Sequence, residues 1–322
     1  MRQLFCFFQF NGDNADWCNL HCPYCYAGPT KRMEHKWNGR VEDWGQGFQR
    51  LNRNIYFNLS YGESMGSRGF PEVIDLIGRH ENWECNIITN LSISPEQLVK
   101  STLAQHHRLY MTCSWHPMGG GDWEKFKKHL LILQEAEVPT VVMYLFYPPQ
   151  IYDWKLYWRW LDDHNIRTHI RRFVGYYHGE EYPRSYSPDV KAFLYAQTQP
   201  KTQRYGLELK SPQGLTCTAS KDMILVHYDG QVSYCADVPG NDLGNIFDVN
   251  FKLSEKPIKC PSHVCGGDYG LLHFHDDEFG PPDAELWHDS FVAQVERITG
   301  GGKEPVQYPN RAEMEKWLNA ST

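Results

Sequence analysis

No stretch of this chain is apolar for long enough to cross a membrane, and no secretory signal peptide opens it. Net positive charge is missing too: 32 Lys and Arg stand against 39 Asp and Glu, a formal −7 with histidine neutral. No global field therefore gathers nucleic acid, although a local basic site remains open. Long low-complexity segments are absent, and no cysteine follows Cys265. These absences exclude a helical membrane protein and a secreted disulfide scaffold, and they lead us to expect a soluble protein of the reducing cytoplasm.

What is abundant is clustered cysteine. Ten cysteines fall into a tight trio, Cys18, Cys22 and Cys25, a late group, Cys217, Cys235, Cys260 and Cys265, and the scattered Cys6, Cys85 and Cys113. Clustering of this kind points to metal or redox use. At 322 residues the chain can bury a substantial core in one large domain or in a large and a small one. Aromatic residues make up 14%, with eleven tryptophans, and most are expected to pack the core.

The trio forms a C-x3-C-x2-C loop just after the apolar run from Leu4 to Phe10. Three thiolates on one tight loop can hold three irons of a 4Fe-4S cubane, which leaves the fourth iron without a protein ligand. A structural zinc site is the alternative, though such sites complete four ligands and usually pair two half-sites. The loop closely resembles that of the radical S-adenosylmethionine (SAM) superfamily, with Tyr24 as the aromatic residue before the third cysteine. That resemblance implies a cluster whose open iron is chelated by SAM.

The rest of the first half alternates strand and helix. Strands are expected at 4–10, 54–60, 84–89, 109–114, 141–146 and 167–174. Pro71 opens a helix, and Ser94 is read as the N-cap of another with Pro95 at its first position. A Gly119 to Gly121 break precedes a helix from Trp123 to about Glu137, with Phe126, Leu130, Leu131 and Leu133 as its buried stripe. A further helix is expected over 154–163. Six such units with near-continuous apolar strands imply a parallel α/β sheet, flat or curled. The resemblance implies the curled form, a partial (β/α)6 barrel over residues 1–185.

Within that resemblance, Gly62 and Glu63 match a Gly-Gly-Glu stretch that meets the amino group of SAM, with Tyr61 in place of the first glycine. Asn90 and Ser114, at the ends of the third and fourth strands, fall where relatives place polar contacts to SAM, and His116 follows closely. Tyr24, Gly62, Glu63, Asn90, Ser114 and His116 are thus the candidate cofactor contacts. For Asn90 a simple turn residue, and for His116 a surface histidine, are the plainer readings.

The late cysteines flank an Asp229-Gly230 hairpin between 223–227 and 232–234. Four thiolates could close a 4Fe-4S cluster or an all-cysteine zinc site. The C-x12-G-x4-C spacing of Cys217 and Cys235, followed by Cys260 and Cys265, resembles the SPASM auxiliary-cluster domain in its short twitch form, over 200–275. A tail with helices is expected over 276–322.

The resemblance implies reductive cleavage of SAM to a 5'-deoxyadenosyl radical and abstraction of a substrate hydrogen. Two 4Fe-4S clusters, SAM and a low-potential donor such as flavodoxin or ferredoxin are the implied cofactors and partner. Oxidation or epimerisation of a small polar, carbohydrate-like substrate is the expected outcome, with the segment from Tyr176 to Glu180 suited to stacking. Cys113 is a conceivable hydrogen donor for epimerisation. Maturation of a ribosomal peptide and modification of a nucleobase are the alternatives. Because the first strand starts at residue 4, any leader-recognition function is expected on a separate protein. A metal-cluster scaffold that only binds a partner is the non-enzymatic reading.

Overall fold

The structure, a computed structural model, describes residues 3–10, 18–25, 40–196, 203–235, 238, 240–265, 274–275 and 277. Helices expected in the tail lie outside these residues. The chain divides into two compact units, Met1–Thr140 with Thr216–Lys259 and Val141–Leu215 with Cys260–Thr322.

In the first unit, β1 (Leu4–Gln9), β2 (Ile55–Leu59), β3 (Trp83–Thr89) and β4 (Leu109–Trp115) run parallel, joined by α1 (Val41–Arg50), α2 (Phe70–Gly78) and the short α3 (Thr102–Gln105), with α4 (Trp123–Glu135) after β4. Near-continuous apolar sequence makes these strands buried on both faces. One face packs on α1 through Phe8, Phe48, Phe57 and Trp83, with Phe8 to Phe48 ring centroids 5.2 Å apart and Phe57 to Trp83 5.3 Å. The opposite face carries Phe5 stacked on Tyr56 at 5.5 Å.

The second unit contains β5 (Thr140–Phe146), α5 (Trp154–Asp163), β6 (Arg167–Arg172), the hairpin β7 (Gly175–Tyr177) with β8 (Glu180–Tyr182), and α6 (Pro188–Ala196). β5 and β6 pair in parallel from Val141 with Arg167 to Phe146 with Arg172. The late chain adds β9 (Thr216–Cys217), β10 (Met223–His227), β11 (Gln231–Ser233), β12 (Asp242–Asn245) and β13 (Ile258–Lys259).

The Asp229-Gly230 turn does produce the hairpin: β10 and β11 pair antiparallel, and Gly230 takes φ +86°. β10 also pairs in parallel with β1, from Phe5 with Met223 to Gln9 with His227. The strand order in the first unit is therefore β12–β11–β10–β1–β2–β3–β4, mostly parallel and α/β.

Four local expectations are corrected. α1 forms between the first two strands, where no helix is expected from the sequence, because its two glycines obscure the apolar face. Their absent side chains let the helix approach its neighbours closely. A Cβ on Gly45 would lie 3.1 Å from Leu76 Cδ1, and one on Gly47 would lie 2.9 Å from the Ile246 carbonyl oxygen. Ser94 and Pro95 do not open a helix: the segment turns, forms a short 3-10 turn at Leu98–Lys100, and Ser101 caps α3 by accepting from the Ala104 amide. On α4 the buried residues are Phe126, His129, Leu130 and Leu133, while Leu131 is exposed. The His129 ring nitrogen Nδ1 lies 2.8 Å from the Leu91 carbonyl oxygen, which accounts for a polar residue in that stripe. Finally, β6 ends at Arg172 rather than at 174.

Candidate active site

The sheet face opposite α1 changes chemistry along its strands. At the amino ends it is aromatic, with Phe5, Tyr56 and Tyr110; towards the carboxyl ends it turns polar, with Gln9, Asn58, Asn86, Thr112 and Ser114, all buried. Thr112 Oγ1 donates to Asn86 Oδ1 at 3.1 Å, and Asn86 Nδ2 donates to Asn58 Oδ1 at 2.6 Å. Asn58 Nδ2 is buried with no hydrogen-bond partner among the described residues. The carboxyl ends of parallel strands are where open α/β sheets take their ligands.

The cysteine loop is laced to the turns that follow β3 and β4. His21 N donates to the Gly119 carbonyl at 3.1 Å, and Cys25 N closes a turn on the Cys22 carbonyl at 3.1 Å. Tyr24 Oη lies 3.0 Å from His116 Nδ1. Asn90 Nδ2 donates to Cys18 Sγ at 3.8 Å and to Asn19 Oδ1 at 2.9 Å. Gly119 has no side chain where one would collide with Cys22 Sγ.

Burial raises the Cys18 thiol and pushes Cys22 up to about 12, so both stay protonated until a cation is present. Among the described residues, no three His, Cys, Asp or Glu side chains are grouped to hold a single metal ion. A cubane takes one thiolate at each of several irons and does not require the sulfurs to converge on one point. Three thiols on one loop, a donor aimed at one sulfur and a glycine cleared for another fit such a cluster.

Glu63 is fully buried just beyond β2. Its Oε1 accepts from Thr89 Oγ1 at 2.7 Å and from Met65 N at 3.2 Å, and its Oε2 accepts from Asn90 N at 2.7 Å. Desolvation outweighs these donors and raises the carboxyl to about 7. Its carboxylate thus ties the end of β2 to the end of β3. Tyr61 and Gly62 both take left-handed backbone, φ +86° and +62°. Tyrosine rarely adopts that region, so the turn before Glu63 is strained where the matched motif has glycine.

Burial pushes His116 down to about 4, so its ring is neutral and Nδ1 can accept the Tyr24 hydroxyl proton. Ser114 lies on β4 with Thr112 on the polar face; Cys113 alternates with them onto the other face, fully buried, and burial raises its thiol well above the ordinary value.

Of the late cysteines, Cys217 lies on β9 opposite Ile258 of β13, and Cys235 follows β11. In the second unit, the Cys260 amide donates to the Leu215 carbonyl at 2.8 Å, and the Cys260 carbonyl accepts from Gly214 N at 2.8 Å. The β7–β8 hairpin belongs to an aromatic cluster in which Tyr147 contacts Phe173 at 5.1 Å and Tyr177 at 5.3 Å, with Tyr176 exposed.

Asn19, Thr89, Ser92 and His129 join the site without having been singled out in the sequence, and Gly119 figures there only as part of a glycine break. Each acts through a contact with a residue distant in the chain or through space it leaves empty, and no motif marks either.

Structures of the anaerobic sulfatase-maturating enzyme anSMEcpe, a SPASM-type radical SAM protein, are similar to this chain in fold. One with bound AdoMet is 17% identical, covers 77% of this chain and 76% of its own, and superposes with a TM-score of 0.55. Another, with AdoMet and the Cp18Cys peptide, is 15% identical, covers 99% of both chains and gives 0.55. The chain's mostly parallel α/β sheet is similar to that of these radical SAM structures. At these identities the likeness is one of fold. No family model matches the sequence, and no curated protein matches it. In this sheet the cysteine loop, Glu63, Asn90 and His116 lie beyond or beside the carboxyl ends of β1 to β4. No described helix is long and apolar enough to cross a membrane.

Proposed function

We propose that this protein is a radical SAM enzyme in which Cys18, Cys22 and Cys25 hold a 4Fe-4S cluster beside bound SAM. The lacing of the C-x3-C-x2-C loop to the turns after β3 and β4, in this fold, carries the reading. When bound, the reduced cluster supplies an electron that splits SAM into methionine and a 5'-deoxyadenosyl radical, which takes a hydrogen atom from the substrate. The chain's own residues orient the partners and exclude water. Tyr24 and His116 form one wall of the SAM site, the backbone at Gly62 receives the amino group, and Ser114 offers a hydroxyl from β4. Glu63 and Asn90 act from behind, holding the turns.

The β-α units over 1–185 form the partial barrel, and Cys217, Cys235, Cys260 and Cys265 supply the ligands of an auxiliary cluster in a twitch-like region. A low-potential donor such as flavodoxin or ferredoxin provides the electron. The polar ends of β1, β2 and β4 favour a small polar substrate, carbohydrate-like in its hydroxyls, that is oxidised or epimerised. A peptide substrate is the second reading, favoured by the likeness to a structure of anSMEcpe that carries AdoMet and a peptide.

The test is anaerobic reconstitution with iron and sulfide analysis, followed by reduction with SAM present. About eight irons, falling to about four when Cys18, Cys22 and Cys25 all become Ala, is expected for two four-iron clusters. The parent should release 5'-deoxyadenosine and the triple variant none. Deuterium transferred from a labelled sugar or peptide into that product separates the two substrate readings. A parent that takes up no iron, or one that holds iron and never cleaves SAM under strong reductant, overturns the enzyme reading.

A further inference from the structure

We infer that Asn90 is a positioning residue of the cysteine loop, whose amide fixes Cys18 Sγ and places a hydrogen-bond donor on that sulfur. The inference rests on the proposed cluster and goes beyond the contact with SAM expected at this position. Every polar group of Asn90 but its carbonyl is engaged in one defined arrangement. Its backbone amide donates to Glu63 Oε2 at 2.7 Å, and its side-chain Oδ1 accepts from Ser92 N at 2.9 Å.

A backbone N–H can only donate, so the Ser92 contact settles which end of the amide is oxygen. Nδ2 therefore faces the cysteine loop, where its two hydrogens meet Asn19 Oδ1 at 2.9 Å and Cys18 Sγ at 3.8 Å. The second amide has a matching orientation, since Asn19 Nδ2 donates to Ser92 Oγ at 2.8 Å. Around this knot Leu91 takes φ +54°, its amide is held by Thr89 Oγ1 at 2.9 Å, and its carbonyl lies 2.8 Å from His129 Nδ1. The turn after β3 thus holds the Asn90 amide against Cys18 through bonds at both of its ends.

A donor on a ligating sulfur stabilises the more negative, reduced state of a cluster and raises its potential. Asn90→Asp keeps an acceptor for Ser92 N but exchanges the donor for a carboxylate charge, whereas Asn90→Ala loses donor and acceptor without adding charge, so a lowered potential in Asn90→Ala is the result that reports the donor. The full chain, the two variants and the triple cysteine variant are reconstituted with iron and sulfide. Thermal melts before reconstitution, iron content and the midpoint potential of the loop cluster are then measured. Both variants are expected to fold, with a midpoint potential more negative than the parent's or with iron lost at the loop site alone. Parent-like potential and iron content in Asn90→Ala overturn the inference and leave the proposed function standing. Loss of fold in both variants before any iron is added also overturns it, by reducing Asn90 to a structural turn residue. A parent that takes up no iron sinks the proposed function and the inference together.

Discussion

Tyr24 Oη and His116 Nδ1 are 3.0 Å apart, which joins the aromatic residue before Cys25 to the segment that follows β4. The two lie 92 positions apart in the chain, so the bond forms only once β1 and β4 belong to one sheet. The bond between the tyrosine hydroxyl and the neutral His116 ring holds the Tyr24 ring in one orientation beside the cysteine loop. His116→Ala should raise the SAM concentration needed for half-saturation by roughly two- to tenfold, the effect of losing one half-buried hydrogen bond. Equilibrium binding of SAM to the reconstituted protein checks it, and unchanged affinity refutes the pairing as a determinant of the site.

Glu63 and His116 titrate in opposite senses. The Glu63 carboxyl is raised from 4.5 to about 7, so its contribution to stability is fully present below pH 4.5 and is lost as pH rises through 7. The His116 imidazole is lowered from 6.5 to about 4, so its contribution is present above pH 6.5 and is lost as pH falls through 4. Melting of the chain without iron, followed from pH 7.5 to 4, should show the two trends partly offsetting. Glu63→Gln should leave a net loss of stability on acidification, and His116→Gln a net gain. Identical pH profiles for parent and variants would remove both groups from the account.

Tyr61 holds φ +86°, a region that costs a side-chain-bearing residue about 1–2 kcal/mol. Tyr61→Gly should therefore stabilise the chain by up to about 1 kcal/mol after the added backbone freedom of glycine is counted. Urea titration measures it. A clear loss of stability would show that contacts of the ring outweigh the strain.

Gly119→Ala drives a methyl group into Cys22 Sγ, whereas Gly121→Ala crowds the Trp115 ring, with 2.7 Å to Cζ3. Each should cost about 1–3 kcal/mol through overpacking. Iron at the loop should fall by half or more in Gly119→Ala alone. Equal iron in the two variants would mean that the loop moves aside freely.

Asn86 stands between Asn58 and Thr112 in the buried polar row. Asn86→Ala leaves both neighbours without their bonds and should cost about 2–4 kcal/mol. Denaturant unfolding gives the value, and a loss below about 1 kcal/mol would indicate that water enters to replace the amide.

Much of the fold was legible in the chain because its signals are local. Apolar runs gave β1 to β6 within a few residues, and the Asp229-Gly230 turn placed the β10–β11 hairpin. Helix α1 was hidden because its glycines serve close packing on Leu76 and Ile246, a property of partners rather than of the helix. Ser94 and Pro95 look like a helix start by residue type, yet the chain makes its cap at Ser101. Leu131 and His129 exchange expected roles because the Leu91 carbonyl lies against that part of α4.

By itself the sequence determined the cysteine loop, its C-x3-C-x2-C spacing and the alternation of strand and helix that makes a parallel sheet. Those are matters of residue order and of local backbone preference. Tertiary structure alone decided that β10 returns to lie beside β1, that Glu63 turns its carboxylate inward to bind the ends of two strands, and that Asn90 reaches Cys18 across 72 positions. Hydrogen bonds of this kind depend on distances that exist only after strands remote in the chain have paired, and so no spacing of residues records them.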